Sequence, residues 1–570
     1  MVKEKNLKRR KKKCLKIIVV AFVILLAVIG MLFLGYKLLG NKQLNEKAFI
    51  ASTTNNVAAY DEKFKEVAKI VRGSTIVVKE KNIVNEKTNQ TFDKITYNKK
   101  DFMVLIDNVV TDKKDIVKEK ELYVRTPVTL YKNSDSSEIL SLIKKGQKVD
   151  IIGYDRIDQE GYVNMYKVKY NDLTGFVYRK YLLENQEEAL KYYDMDNSYK
   201  IHSARGDRYG GGDAGMLDYY PVTKPTFENN KMPDETRTLY MNAAVIKDVD
   251  SYISLAKNSN INAFVVDIKD NTSPGYASLV MQKMSPTNYK HALNSLEDYK
   301  QAIKKLKDNG FYVIGRITTF KDSYYVEDHK EVAIADANGQ PFSHNGSYWP
   351  SAFNRSVWEF NVELAKEAVK EMGFNEIQFD YVRFPDRTYK LEQSGQMDMK
   401  NIYGESKAQA LQAFLMYATD ELHKLNVYVS ADVFGECAYN YVAAYGQYWP
   451  AISNIVDVIS AMPYPDHFNK YDFGLNQVVW TVPYDLLKVW GGDYAAKRQT
   501  EIPTPAKVRT WIQTYNTIHE PFVVYDESKI SDQIKALYES GLDDGYMTWH
   551  SASSLAKYKE VSGAFKKEYR

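Results

Sequence analysis

The sequence predicts an α/β chain. Its larger part, residues 236–570, reads as a (β/α)8 TIM-like barrel, preceded by a small all-β domain and an N-terminal transmembrane helix. Three observations predict this. Short apolar runs alternate with helix-length amphipathic segments from residue 236 to the C-terminus. Short alternating strands punctuated by turn residues fill 119–184. An uncharged run of 20 residues, Ile17 to Tyr36, follows a strongly basic N-terminus.

Residues 1–16 carry nine Lys/Arg and one acid, Glu4; the rest of the chain holds 68 basic and 72 acidic residues. The basic block therefore gives no reason to expect nucleic-acid binding by the main body. It flanks Ile17–Tyr36 and places that end in the cytoplasm, with the main body outside. A cleaved signal peptide competes with this reading. The apolar run is longer than an ordinary signal core and no A-x-A site closes it, which favours an uncleaved single-pass anchor in the cell membrane. The two cysteines, Cys14 and Cys437, then lie on opposite sides of the membrane, so no internal disulfide is expected.

Residues 37–118 are polar and charged with short apolar pieces, and read as a membrane-proximal stalk ending in a small β region. In 119–184, Leu122–Val124 and Val128–Tyr131 alternate as strands. Lys145-Gly146-Gln147 turns into Val149–Gly153, and Asn171-Asp172 separates Tyr166–Tyr170 from Thr174–Val177. This ordering resembles bacterial SH3-like domains, with Phe176 where those modules commonly carry Trp. Residues 185–235 read as a linker. Gly210-Gly211-Gly212 does not lead from a strand into a helix, so it is not a phosphate-binding loop.

Eight strands are expected in the barrel: Leu239–Asn242, Ala263–Ile268, Tyr312–Ile317, Glu376–Asp380, Val427–Val433, Val456–Met462, Val508–Gln513 and Gly545–Trp549. Helical patterns lie between them, including Leu296–Asp308, Val357–Met372 and Ser406–Leu425. A doubly wound open sheet has the same alternation, because strand count does not establish closure.

Several of these strands end on polar residues opposite their Val, Ile or Phe positions. They are Asp267 and Lys269, Arg316, Gln378 and Asp380, Ser430 and Asp432 with Glu436 beyond, Tyr464, Gln513, and Trp549. In a βα-barrel such ends converge on one mouth, the usual place of catalytic groups. Carboxylates dominate. Glycosidic bond cleavage needs two of them, one to protonate the leaving oxygen and one to attack carbon or activate water. Asp380, Asp432 and Glu436 are the candidates. Asp267, Lys269, Arg316, Arg383, Tyr464, Gln513 and Trp549 are candidates for binding substrate. The bland alternative for Asp380 is a structural ion pair with Arg383.

Four ordered motifs carry a family resemblance: Val265–Asp270, Gly315–Ile317 with Phe320–Asp322, Phe379–Pro385, and Ser430–Gly435. Together they resemble a bacterial family of glycoside-hydrolase-like barrels long catalogued as a domain of unknown function. The resemblance runs from about Thr238 to the C-terminus. It implies a TIM barrel related to polysaccharide-cleaving barrels, with Asp380 as nucleophile and Asp432 or Glu436 as acid/base. The eight histidines show no H-E-x-x-H or H-x-H spacing, Ser430 and Ser460 lack a G-x-S-x-G elbow, and no dinucleotide fingerprint is visible. No metal or cofactor is expected. The expected partners are a polysaccharide or peptidoglycan and the membrane, and the other expected class is a non-catalytic glycan-binding or envelope scaffold.

Overall fold

The structure is a computed structural model that describes Lys13, Lys16, 19–29, Met31, 44–194 and 198–570. Residues 19–29 are helical, with apolar side chains such as Phe22 and Val23 exposed. Among the described residues no helix is long and apolar enough to cross a membrane. The remainder of the expected span, and most of the basic tail with Cys14, lie outside the described residues. From residue 44 on, the chain divides into two units, one comprising residues to Lys120 with Ile152–Tyr166, the other Glu121–Ile151 with Lys167–Arg570.

In the first unit the region read as a stalk is a seven-stranded antiparallel sheet between Glu46 and Val110. Alternation supplies its core: Ala48 and Ile50, Val57 and Ala59, Ile76 and Val78, with Ile70, Ile95 and Val104, are all buried. A two-residue loop, Asn98-Lys99, joins Gln90–Tyr97 to Lys100–Leu105. Both residues have positive φ, 50° and 65°, which suits the right-handed twist of a hairpin. The apolar pieces were too short and too interrupted by Lys and Asn to be read as a full sheet from sequence.

The second unit begins with further short strands, among them Glu121–Val124, Val128–Tyr131, Ile139–Ile143 and Leu173–Tyr178, which pair antiparallel. This all-β module docks on the barrel. The Tyr417 hydroxyl donates to the Ser137 carbonyl at 2.7 Å, and the Tyr181 hydroxyl to Asp420 at 2.8 Å. The presumed linker also packs: Ala214, Leu217 and Tyr219 join a core cluster with Ala408, Val442 and Tyr448. Gln412 bonds both the N–H and the carbonyl of Asp218 at 2.8 Å. Gly212, at φ +124°, passes so close to Ser406 that an added Cβ would sit 2.5 Å from its hydroxyl.

The barrel strands are β1 (Thr236–Met241), β2 (Ala263–Asp270), β3 (Tyr312–Thr318), β4 (Glu376–Asp380), β5 (Tyr428–Phe434), β6 (Val458–Met462), β7 (Lys507–Val508), β8 (Thr510–Gln513) and β9 (Gly545–Trp549). The main helices between and after them are α1 (Val249–Lys257), α2 (Leu296–Asp308), α3 (Arg355–Met372), α4 (Lys407–His423), α5 (Trp449–Ser453), α6 (Pro483–Val489), α7 (Glu527–Glu539) and α8 (Leu555–Glu560). α4 starts at a reciprocal cap between Ser406 and Gln409, and α3 stops at Gly373, φ +68°. α4 is buried on nearly every side, because the barrel covers one face and the all-β module another.

The parallel strands follow the order β7-β6-β5-β4-β3-β2-β1-β9-β8. The seventh strand expected from the sequence is thus broken at Arg509. Its first piece pairs with β6 and its second with β9, so both ends of the sheet lie on one stretch of chain and the barrel is nearly closed. The outward Val, Ile and Phe positions face helices. The inward alternates are polar to an unusual degree. At the floor, Arg509 donates to Glu376 at 2.8 Å and to the Thr236 hydroxyl at 3.2 Å, and Tyr312 donates to Glu376 at 3.0 Å. Above them Val265, Ile314, Trp511 and Met547 form an apolar layer.

Candidate active site

Strand alternation brings Asp267 of β2, Arg316 of β3, Asp380 of β4 and Asp432 of β5 to the inner wall near the C-terminal mouth. Register places Asp267 opposite Arg316, and Thr318 opposite Asp380. Arg316, 1% exposed, is the hub. It donates through Nη1 to Asp267 at 2.7 Å, and through Nε and Nη2 to the same Asp380 oxygen at 3.0 and 2.6 Å. Asp270 lies 3.8 Å and Asp432 4.0 Å from the guanidinium. One buried cation therefore faces four carboxyl groups.

Four full negative charges cannot be held by one positive charge in a buried site, so the carboxyls must differ in protonation. Burial, reinforced by the neighbouring Asp380 charge, pushes Asp432 well up. Its Oδ1 accepts the Trp511 indole N–H at 2.8 Å, while Oδ2 is buried with no hydrogen-bond partner among the described residues. An indole nitrogen only donates, so a proton on Asp432 belongs on Oδ2. Burial also raises Asp267, to about 6, against the opposing pull of Arg316. Burial opposes ionisation of Asp270 too, but Arg316, the Thr318 hydroxyl and the Asn271 N–H outweigh it and hold Asp270 below the usual range. Asp380 has Arg316 on one oxygen and the Tyr381 N–H on the other at 2.5 Å. Tyr381 itself sits at φ +50°, a strained position for a bulky residue beside a candidate catalytic group.

Asp380 does not pair with Arg383. Arg316 lies across the β3–β4 register and takes that role, while Arg383 turns to Asp386 at 3.2 Å and lies within 4.4–4.9 Å of the Phe434, Trp349 and Tyr381 rings. Lys269 points away from the mouth. The β2–β3 register shifts between Asp267 and Lys269, and this bulge breaks the alternation. Lys269, fully buried, bonds Asp322 at 2.7 Å and the Thr318 carbonyl, with its ammonium 5.6 Å from the Phe360 ring of α3. The same shift turns Asp270 inward, with its side chain 36% exposed, and alternation alone did not single it out.

The Tyr464 ring is buried and stacks at 6.4 Å on Trp549, whose partly exposed ring lies 5.5 Å from the Arg316 guanidinium. Gln513 is fully buried, accepting the Asp466 N–H and donating to the Tyr515 carbonyl. Glu436 stands past the end of β5, partly exposed, and accepts the Tyr441 and Tyr445 hydroxyls at 2.9 and 3.0 Å.

A family model described as "Putative glycosyl hydrolase domain" matches residues 238–555. The chain belongs to this family. Among solved structures it is similar to a hypothetical protein from Ruminiclostridium thermocellum ATCC 27405, at 31% identity over 34% of this chain and 97% of that one, TM-score 0.29. It is also similar to the glycoside hydrolase domain of PgaB (BpsB) from Bordetella bronchiseptica, at 12% identity over 58% of this chain and 98% of that one, TM-score 0.43. No curated protein matches it. All the groups around Arg316 fall inside the matched residues.

Proposed function

We propose that the barrel cleaves a glycosidic bond of a cell-wall or extracellular polysaccharide, with Asp380 as nucleophile or base and Asp432 as acid. One observation carries this reading: two carboxyl groups share Arg316, yet their surroundings favour opposite protonation states. Asp380 is held by charge-assisted hydrogen bonds, whereas Asp432 is dry and has a free Oδ2. An ionised carboxylate beside a neutral acid is what acid-assisted glycoside cleavage requires.

Both Asp380 Oδ2 and Asp432 Oδ2 lie within 4.0 Å of Arg316 Nε, at 3.0 and 4.0 Å, so they cannot be more than about 7 Å apart. Retaining enzymes separate their carboxyls by about 5–5.5 Å and inverting ones by about 6.5–9.5 Å. This upper limit on one oxygen pair is compatible with the shorter, retaining separation, and the reading adopts a covalent route. Asp380 attacks the anomeric carbon as the C–O bond breaks and the Asp432 proton passes to the leaving oxygen. Water, giving its proton to the Asp432 carboxylate, then displaces Asp380. Glu436 is the other candidate acid, favoured by its greater exposure.

The uncharged run Ile17–Tyr36 supports an uncleaved anchor with the main body outside the cell, and the SH3-like ordering of 119–184 supports a module that presents the barrel to the envelope. The test is release of reducing ends from a panel of envelope polysaccharides and peptidoglycan by the full chain, beside Asp380→Asn. Release by the wild type alone supports the reading, with retained anomeric configuration in the first-formed product. Binding without release by either chain would favour a glycan-binding scaffold.

A further inference from the structure

Beyond Glu436, the chain builds a second feature that the carboxylate centre does not use. Tyr439 and Tyr441 follow β5, Phe473 lies in the loop after β6, and Tyr494 lies between α6 and β7; all four rings are partly exposed. Tyr439 is the centre of the group, with Tyr494 at 5.3 Å, Tyr441 at 5.7 Å and Phe473 at 6.1 Å between ring centroids. Phe473 and Tyr494 touch each other at 5.2 Å. Two connections, β5–β6 and β6–β7, thus contribute to one aromatic ledge.

Two independent departures from relaxed backbone converge on it. Phe473 is held at φ +61°, where a bulky side chain is strained. Tyr494 is carried on a π-helical turn, Trp490–Ala495, a rare geometry that recurs at functional sites. The turn is tied to the end of β5 by the Trp490 indole, which donates to the Gly435 carbonyl at 2.9 Å. Phe473 is anchored from behind by Phe468, 5.1 Å away, and by the small core of Val479, Trp480 and Leu486. The ledge connects toward the mouth through Tyr445, which bonds Glu436 and lies 5.1 Å from the Phe434 ring at the end of β5 and 5.9 Å from the Arg383 guanidinium. Glu436 uses one lone pair on each oxygen for Tyr441 and Tyr445, which fixes its carboxylate and leaves the others to accept further hydroxyl groups.

We propose that this ledge is a sugar-binding subsite outside the catalytic centre, which takes a pyranose ring of the polymer chain. The axial C–H face of a pyranose is apolar and lies against aromatic rings, whose faces are electron-rich; its edge hydroxyls donate to Glu436. The reading rests on the barrel's being a polysaccharide hydrolase and deepens it: it gives the polymer a holding point beyond the carboxylate centre, with Glu436 as a binding group.

The test is binding by the full chain to soluble glucose oligomers of α and β linkage, N-acetylglucosamine oligomers and solubilised peptidoglycan fragments. It compares wild type, the pair Tyr439→Ala with Tyr494→Ala, and the pair Tyr439→Phe with Tyr494→Phe. Wild type is expected to bind at least one of these probes, the alanine pair to bind it on the order of tenfold more weakly, and the phenylalanine pair to keep most of the affinity. Should the alanine pair fail to fold, Glu436→Gln gives the readout, with severalfold weaker binding expected. Wild type binding none of the probes, a folded alanine pair binding as wild type does, or a Glu436→Gln chain binding undiminished when it is the readout, overturns the subsite. Sugar binding that depends on the ledge, without reducing-end release, counts against hydrolysis and leaves the subsite standing.

Discussion

The two ends of the barrel interior handle charge in opposite ways. At the floor, Arg509 meets one acid, Glu376, which also accepts from Tyr312; a second guanidinium nitrogen reaches the Thr236 hydroxyl, and Nε is left buried without a partner among the described residues. Charge is balanced and no solvent-exposed group takes part. At the mouth, Arg316 meets Asp267, Asp270, Asp380 and Asp432. The excess of acid forces some carboxyls to hold protons, and strain accumulates beside them at Tyr381. A balanced pair positions strands; an unbalanced cluster keeps a proton available. In barrels of this kind, chemistry belongs to the C-terminal mouth and stability to the N-terminal floor.

The largest expected effect is at the mouth. Asp380→Asn should lower turnover by about 10⁴-fold or more while thermal unfolding changes little, because the carboxylate acts on substrate. Asp432→Asn should cost about 10²–10⁴-fold on poor leaving groups and much less on nitrophenyl glycosides, which need little protonation. An equal loss on both leaving groups would move the acid role elsewhere, Glu436 being the first alternative.

The floor should respond in stability. Glu376→Gln strands the Arg509 charge and should cost about 3–5 kcal/mol in chemical unfolding, with kcat of the remaining folded protein unchanged. A kinetic defect at that site would erase the distinction between the two ends.

Asp267 gives a pH test. Its folded value is about 6 against 3.8 when unperturbed, so the folded state prefers its neutral form. The associated stability is present below pH 3.8 and is lost as pH rises through about 6. Relative to Asp267→Asn, the wild type should therefore lose up to about 3 kcal/mol between those values. A constant difference would show that Arg316 keeps Asp267 ionised throughout. The smallest effect belongs to Trp511→Phe. Its N–H favours the charged form of Asp432, so removing it should move the alkaline limb of activity upward at a stability cost of about 1 kcal/mol.

Much of the barrel was legible because alternation is a local property. Asp380 and Asp432 sit at even spacing from buried residues of their own strands, and so do Arg316 and Gln513. The misplacements came from non-local causes. The bulge after Asp267 exchanges the places of Lys269 and Asp270, and nothing in Val265–Asp270 marks it. The break at Arg509 is fixed by neighbours on both sides, β6 and β9. Asp380 chose Arg316 over Arg383 through the β3–β4 register, which outweighs nearness in sequence. Trp511 lies inside an expected strand but was not among the candidate site residues, because its bond to Asp432 spans 79 positions. Protonation states depend on burial, which only the closed barrel supplies. The four mouth carboxyls were visible as residue types, but their unequal environments were not.

The central claim is that Asp432 is a neutral acid beside an ionised Asp380. Infrared difference spectroscopy of the full chain at about pH 8, wild type against Asp432→Asn, measures it without any substrate; Asp267 is ionised at that pH, its folded value being about 6. A protonated-carboxyl band is expected in the wild type, absent from Asp432→Asn and retained in Glu376→Gln. A wild type with no such band, or one that survives in Asp432→Asn, would contradict it.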